Sequence, residues 1–179
     1  EDFVSMFESC IIDFPYVEYK SIQVEYKDDL YNGCICNNMY NANMSFISLR
    51  RLLKQNNVPL NIFIKDNCIE NNIKNVVDIV YNITNLDIRY YLFRLLFLDA
   101  LILNEDRHYM NLGVCYDGNN FVESLCFDNG SSLFCTNWTY RRKKTLDENL
   151  QMAKSVARPF SKFYDKQFLA CLNLLMYQQ

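Results

Sequence analysis

Residues 87–103 are almost wholly apolar, and the chain then breaks into the polar cluster Asn104-Glu105-Asp106-Arg107-His108. A helix that is hydrophobic nearly all round has to be buried on most sides, so this one predicts the central helix of a helical lobe. Within it, Asp87 and Arg94 share a stripe. The part from 90 to 103 carries Arg94 and Asp99 and is too short to cross a bilayer. The segment after the helix is equally constrained. Asn111 comes five residues after Asp106, and a strand-like run over 112–116 turns back at Asp117-Gly118. A second run over 121–127 ends on Asp128-Asn129-Gly130.

This spacing suits phosphoryl transfer. An aspartate beside an acceptor hydroxyl can take its proton as the alcohol attacks phosphorus, which fits Asp106. An asparagine five residues on can turn its amide oxygen toward the phosphates. A second aspartate, brought alongside by a hairpin, adds a carboxylate. Magnesium takes a few hard oxygen ligands and keeps waters, so one Asn and one Asp from the protein suffice. Gly130 is expected to allow a sharp turn after Asp128.

Asn104-x-Asp106-Arg107-His108-x-x-Asn111, followed by Asp128-Asn129-Gly130, resembles the HipA-like Ser/Thr kinases of bacteria. More distantly, it is similar to the D-R-H-x-x-N and D-F-G pair of phosphoinositide lipid kinases. The resemblance implies an α+β, mainly α, protein-kinase-like fold using ATP and Mg2+. Asp106 would be the catalytic base. Arg107 and His108 would shape the loop or neutralise phosphate charge. Asn111 and Asp128 would bind magnesium, with Asn104 beside them at the cofactor. Asn129 stands where D-F-G has phenylalanine, which puts a phenylalanine flip in doubt but not metal binding.

The resemblance also implies a division of one domain, 1–179. Residues 1–40 would be a remnant of the N-lobe, a helix plus a β-hairpin, and 41–179 the helical C-lobe. The catalytic loop would be 104–111 and the metal-binding tripeptide 128–130. Glu1 becomes the candidate for the helix glutamate that pairs an ATP-binding lysine, and backbone 37–40 would lie near the adenine. No G-x-G-x-x-G loop and no V-A-x-K strand is present, and the chain has only four glycines. Most of the N-lobe is therefore expected to be absent and the chain to derive from something longer. These 179 residues alone are expected to bind ATP poorly and to be inactive.

Half the residues are hydrophobic, which is a globular composition and not a disordered one. The net charge of −3 gives no general attraction to nucleic acid or anionic membrane. The eight cysteines fall mostly in apolar runs, the chain is too long for a stapled scaffold, and no signal-peptide pattern opens it. Buried free thiols in a reducing cytoplasm are expected. Cys34-x-Cys36 has no second ligand pair at zinc spacing, and the single histidine excludes sites built from several His ligands.

The remaining elements follow from periodicity. Residues 1–12 read as a helix with Phe3, Val4, Phe7, Ile11 and Ile12 at helical spacing, ended by Pro15. A strand over 16–26, alternating from Ile22 onward, and a return over 30–39 predict a hairpin with its turn at Lys27-Asp28-Asp29 and a bulge at Gly33. Residues 45–55 predict a helix capped by Ser45, and 71–84 a clearer one. The stretch 131–144 contains Trp138 and the basic run Arg141-Arg142-Lys143-Lys144, an activation segment by resemblance and otherwise a solvated loop. Helices are expected over 146–155 and 161–177, the latter burying Phe168, Leu172, Leu175 and Met176.

Asp128-Asn129-Gly130 on its own is compatible with a mere tight turn, and a lone histidine is more often structural than catalytic. Their joint spacing favours an ATP-dependent kinase acting on a Ser/Thr hydroxyl of a protein. Two alternatives remain: a pseudokinase or interaction module, and a kinase acting on a lipid or small-molecule alcohol. HipA relatives often act as toxins paired with a DNA-binding antitoxin. An antitoxin-type partner is thus what the family offers, although no residue of the motif carries it.

Overall fold

A computed structural model of the chain describes residues 1–11, 15–41, 43–59, 68–135 and 144–176. The apolar run forms helix α4 (Arg89–Ile102), numbered in chain order after α1 (Asp2–Ile11), α2 (Leu49–Gln55) and α3 (Ile69–Thr84). Tyr91, Leu92, Leu95, Leu96, Leu98 and Ile102 of α4 are all but fully buried. Removing each such side chain from water stabilises the fold by about 1.5–3 kcal/mol. The last helices are α5 (Leu146–Ala153) and α6 (Tyr164–Met176), and α6 packs against both α4 and α3.

The buried face of α6 is Tyr164, Gln167, Ala170 and Cys171, with Phe168 and Leu174 packed beside it; Met176 is exposed. The expected Phe168/Leu172/Leu175/Met176 stripe is rotated because α6 faces two helices at once. Asp87 lies before α4 and pairs Arg89 instead of sharing a stripe with Arg94, whose guanidinium pairs Glu123.

Among the described residues two small sheets accompany the helices. Strands β1 (Tyr19–Tyr26) and β2 (Asp29–Cys36) form an antiparallel hairpin. Lys27 and Asp28 both have positive φ (52° and 64°), so the turn is the two-residue kind whose twist matches the strands. Gly33 pairs Ile22 in unbroken register, so there is no bulge. Val24 and Tyr26 are exposed despite their alternation, since α1 meets the hairpin at its Tyr19–Ser21 end, away from the turn.

The second sheet has the order β3-β4-β5, with β3 (Ser45–Ser48), β4 (Gly113–Tyr116) and β5 (Phe121–Glu123). The helix expected over 45–55 is thus a strand followed by a shorter helix. Phe46 and Ile47 pair Cys115 and Val114, a partnership invisible in the local sequence, and tertiary pairing overrides helical propensity there. The cap of α2 is consequently Ser48, whose Oγ accepts from the Arg51 amide at 3.3 Å. Gly113 is required at this crossing. A methyl group on it would stand 2.6 Å from the Phe46 ring and nearer still to the Ile47 carbonyl.

Of the eight thiols, Cys115, Cys126 and Cys171 are buried, while Cys10, Cys34, Cys68 and Cys135 are exposed, so general burial of the cysteines does not hold. Ile12, Trp138, Arg141, Arg142, Lys143 and Tyr177, which figure in the sequence expectations, lie outside the described residues. Among the described residues no helix is long and apolar enough to cross a membrane.

Candidate active site

Helix α4 ends at Leu103, which takes a left-handed conformation (φ 53°) and donates its amide to the Asp99 carbonyl. This reversal carries residues 104–111 back over the end of the helix. Asn104 is fully buried. Its Nδ2 donates to Asp99 Oδ1 at 3.1 Å, and its Oδ1 accepts from the Asp106 amide at 3.1 Å. Both ends of its amide are therefore used inside the protein. Asn104 braces the loop from below and does not face a cofactor.

Arg107 is also fully buried, and its guanidinium is the hub of the region. Nε and Nη2 each donate to the Asp99 carboxylate at 3.0 Å, Nη1 donates to the Phe127 carbonyl at 2.7 Å, and Nη2 donates to Asn129 Oδ1 at 2.5 Å. Burial alone would pull its pKa down. The adjoining Asp99 carboxylate more than offsets this, and the guanidinium is held above its ordinary range. From this position Arg107 cannot reach a phosphate in solvent. It ties the loop to α4 and to the residues on either side of Asp128.

Asp106 and His108 remain at the surface, with side chains 44% and 41% exposed and His108 Nε2 4.0 Å from Asp106 Oδ2. His108 Nδ1 accepts from the Met110 amide at 3.3 Å. Arg158, from the loop between α5 and α6, donates from Nη1 to Asp106 Oδ1 at 3.1 Å. Asn111 is buried, and its Nδ2 donates to the Asp106 carbonyl at 3.1 Å. That bond fixes the amide's orientation and leaves Oδ1 as its acceptor end.

Asp128 is exposed and adopts φ 57°, so the left-handed residue of the tripeptide is the aspartate, not Gly130. Asp and Asn tolerate this region better than other side chains. Gly130 is constrained differently, because a Cβ there would meet the Glu1 carboxylate at 3.1 Å. Asp128's carboxylate makes no hydrogen bond or ion pair among the described residues, while its amide reaches the Tyr19 hydroxyl at 3.5 Å. Phe127, just before it, packs edge-on against Phe46, whose ring stacks on Tyr40. The segment expected near an adenine is thereby joined to Asp128 through aromatic rings.

Asn129, in place of phenylalanine, is buried and polar on every side. Besides accepting from Arg107, it donates from Nδ2 to Glu8 Oε1 at 3.2 Å, and its amide donates to Glu1 Oε2 at 3.0 Å. Glu1 thus meets the tripeptide backbone, and no lysine partner for it is found among the described residues. Burial raises the Glu1 carboxyl, opposed by the Asn129 amide. Helix α1 buries Val4, Ser5 and Glu8 and leaves Phe3 exposed, so its inward face is turned from the one its apolar residues suggest.

Glu8, Asp99 and Arg158 were not nominated from the sequence. Glu8 falls seven residues after Glu1 on the Val4 face, and Asp99 is a lone carboxylate in an apolar helix, so both carried a helical-spacing signal. Arg158 carried none, since only the fold brings it 52 residues back to Asp106.

The carboxylate of Asp128 and the amide oxygen of Asn111 are each hard oxygen donors, the type a divalent cation such as magnesium takes. Among the described residues no group of three or more His, Cys, Asp or Glu side chains could hold a metal ion.

No protein-family model matches the sequence, and no curated protein does. Among solved structures, the Helicobacter pylori proinflammatory kinase CtkA matches with a TM-score of 0.51 at 16% identity, over 74% of this chain. The match covers 45% of CtkA, so the chain spans less than half the length of that kinase. At this identity the likeness is one of fold: the chain is a mixed α/β protein with a kinase-like fold.

Proposed function

We propose that the chain is the catalytic part of an ATP-dependent, HipA-like phosphotransferase that moves the γ-phosphate of Mg-ATP to a Ser or Thr hydroxyl of a protein. The observation that carries this is the buried Asp99–Arg107–Asn129 frame, which holds the 104–111 loop and the Asp128 turn on one support. A catalytic aspartate has to be held to within about half an ångström of its productive place, and a frame of this kind does that. The kinase-like fold supports the reading.

In this reading Asp106 accepts the acceptor's proton as its hydroxyl oxygen bonds to phosphorus. The bond from phosphorus to the bridging oxygen breaks, and ADP leaves with the electron pair. Asn111 Oδ1 and the Asp128 carboxylate would hold magnesium, which would supply neutralisation of the phosphate charge. His108, at the surface beside Asp106, would shape the loop or neutralise phosphate charge. Arg107 and Asn104 are positioning residues, and Asn129 replaces a movable phenylalanine by a fixed polar joint.

The test uses the full-length protein with magnesium and labelled ATP, alone and with cell lysate, beside Asp106→Asn and Asp128→Asn. Label transfer to protein that both variants abolish is expected. Transfer unchanged in the variants would remove these residues from the mechanism.

A further inference from the structure

A cavity of about 750 Å³ opens beside Asp106. One wall is Glu105, Asp106, His108 and Ser131; the other is the loop 155–162. Its volume is that of a ligand pocket and exceeds what a single Ser or Thr side chain fills. The loop is firmly built. Phe160 is buried with its ring edge-on to Tyr109 at 5.9 Å, and Ser161 Oγ accepts from the Phe163 amide. The Ala157 amide donates to the Lys162 carbonyl at 3.0 Å, and the fully buried Gln167 donates from Nε2 to the Arg158 carbonyl at 2.9 Å. The backbone at 158 and 162 is thus fixed while both side chains stay in solvent.

The charges facing this space are Asp106 and Glu105 on one wall and Arg158 and Lys162 on the other, with His108 on the Asp106 side. Glu105 is 8% exposed, so its carboxylate contributes little accessible surface. Lys162 makes no ion pair among the described residues. Among the described residues Arg158 pairs with Asp106 alone, with side chains 58% and 44% exposed. An ion pair this open is weak and exchanges readily for another carboxylate. The same contact that occupies Arg158 also covers the proposed base.

Resting on the phosphotransferase reading above, we propose that this cavity receives an acceptor peptide bearing an acidic side chain next to the Ser or Thr, selected by Arg158 and Lys162. The peptide's carboxylate takes the place of the Asp106 carboxylate on the Arg158 guanidinium. Asp106 is then released to accept the hydroxyl proton, so that the acceptor itself uncovers the base. A guanidinium offers two N–H groups to a carboxylate in one plane, a geometry that lysine supplies only as a point charge.

The test compares two synthetic peptides, identical except for Glu or Gln on either side of a single Ser, with the full-length protein. Fluorescence anisotropy reads binding without ATP, and label transfer reads kcat and KM. A charge-assisted hydrogen bond predicts about tenfold tighter binding and about tenfold lower KM for the Glu peptide. Arg158→Ala is expected to abolish that preference, Arg158→Lys to restore part of it, and Lys162→Ala to weaken it. Equal binding of the two peptides, or a preference that survives in Arg158→Ala, overturns the proposal while Asp106-dependent labelling leaves the kinase reading standing. Arg158-dependent binding without Asp106-dependent labelling supports the acidic-peptide cavity and overturns the phosphotransferase reading. A folded protein that neither binds nor labels either peptide overturns both.

Discussion

Replacing Glu8 by glutamine should change how stability depends on pH. Glu8 is 5% exposed, and burial pushes its carboxyl from an ordinary 4.5 up to about 7. The Cys126 thiol and Arg107 pull the other way, the Glu1 carboxylate adds to the rise, and the Asn129 amide lowers it. Between these two values the folded state holds a proton that the unfolded state has lost, so stability falls as pH rises through the window. The contribution is fully present below the unfolded value and gone above the folded one. A gap of about 2.5 units at about 1.36 kcal/mol each sets a ceiling of about 3 kcal/mol, reduced by whatever solvent reaches the group. Glutamine keeps an oxygen to accept from Asn129 Nδ2 and carries no charge. Urea unfolding followed by circular dichroism at about pH 4 and about pH 8 reads the difference. The two proteins should be nearly equal at the lower pH, and Glu8→Gln should be more stable by about 2–3 kcal/mol at the higher. Glu1, also raised, should leave a small residual slope of the same sign in the variant. Parallel slopes for the two proteins, or native stability that rises across the window, would refute the reasoning.

Two further substitutions test the frame and the sheet. Asp99→Ala strands the fully buried Arg107 guanidinium and should cost about 3–5 kcal/mol in denaturant unfolding. A loss below about 1 kcal/mol would mean that water already reaches Arg107. Gly113→Ala drives a methyl group into the Phe46 ring and the Ile47 carbonyl, and a crowded core site of this kind costs about 1–3 kcal/mol. Hydrogen exchange should show lost protection in β3 and β4 with α3 intact. Unchanged exchange there would show that β3 is not paired at Gly113.

The helices over 71–84 and 87–103 were legible because their apolar spacing is a local signal, and the structure has them as α3 and α4 with ends moved by about two residues. The stretch 45–55 reads as one helix because Phe46 falls at helical spacing with Leu49, Leu52 and Leu53, and only the pairing of Phe46 and Ile47 with Cys115 and Val114 makes its first part a strand. The polar residues of the 104–111 loop could be picked out as a group, but not sorted into buried and exposed. Asn104 and Arg107 are sealed inside while Asp106 and His108 stay at the surface, and burial of a polar side chain depends on partners far along the chain.

The sequence by itself therefore determined the order of parts: an apolar central helix, a polar loop with Asp106 and Asn111 at a fixed interval, and a hairpin delivering Asp128. Periodicity and turn chemistry act over a few residues, and a single strand of text records them. The tertiary structure decided the rest. It joined Asp99, Arg107, Asn129 and Glu8 into one network and set Arg158 against Asp106, across separations of up to 121 residues. The buried hydrogen bonds and ion pairs of that range are selected by the packed core as a whole, because each is favourable where the surrounding layers have excluded water and fixed both partners, while the open Arg158–Asp106 pair depends on the fold only to bring its two loops together.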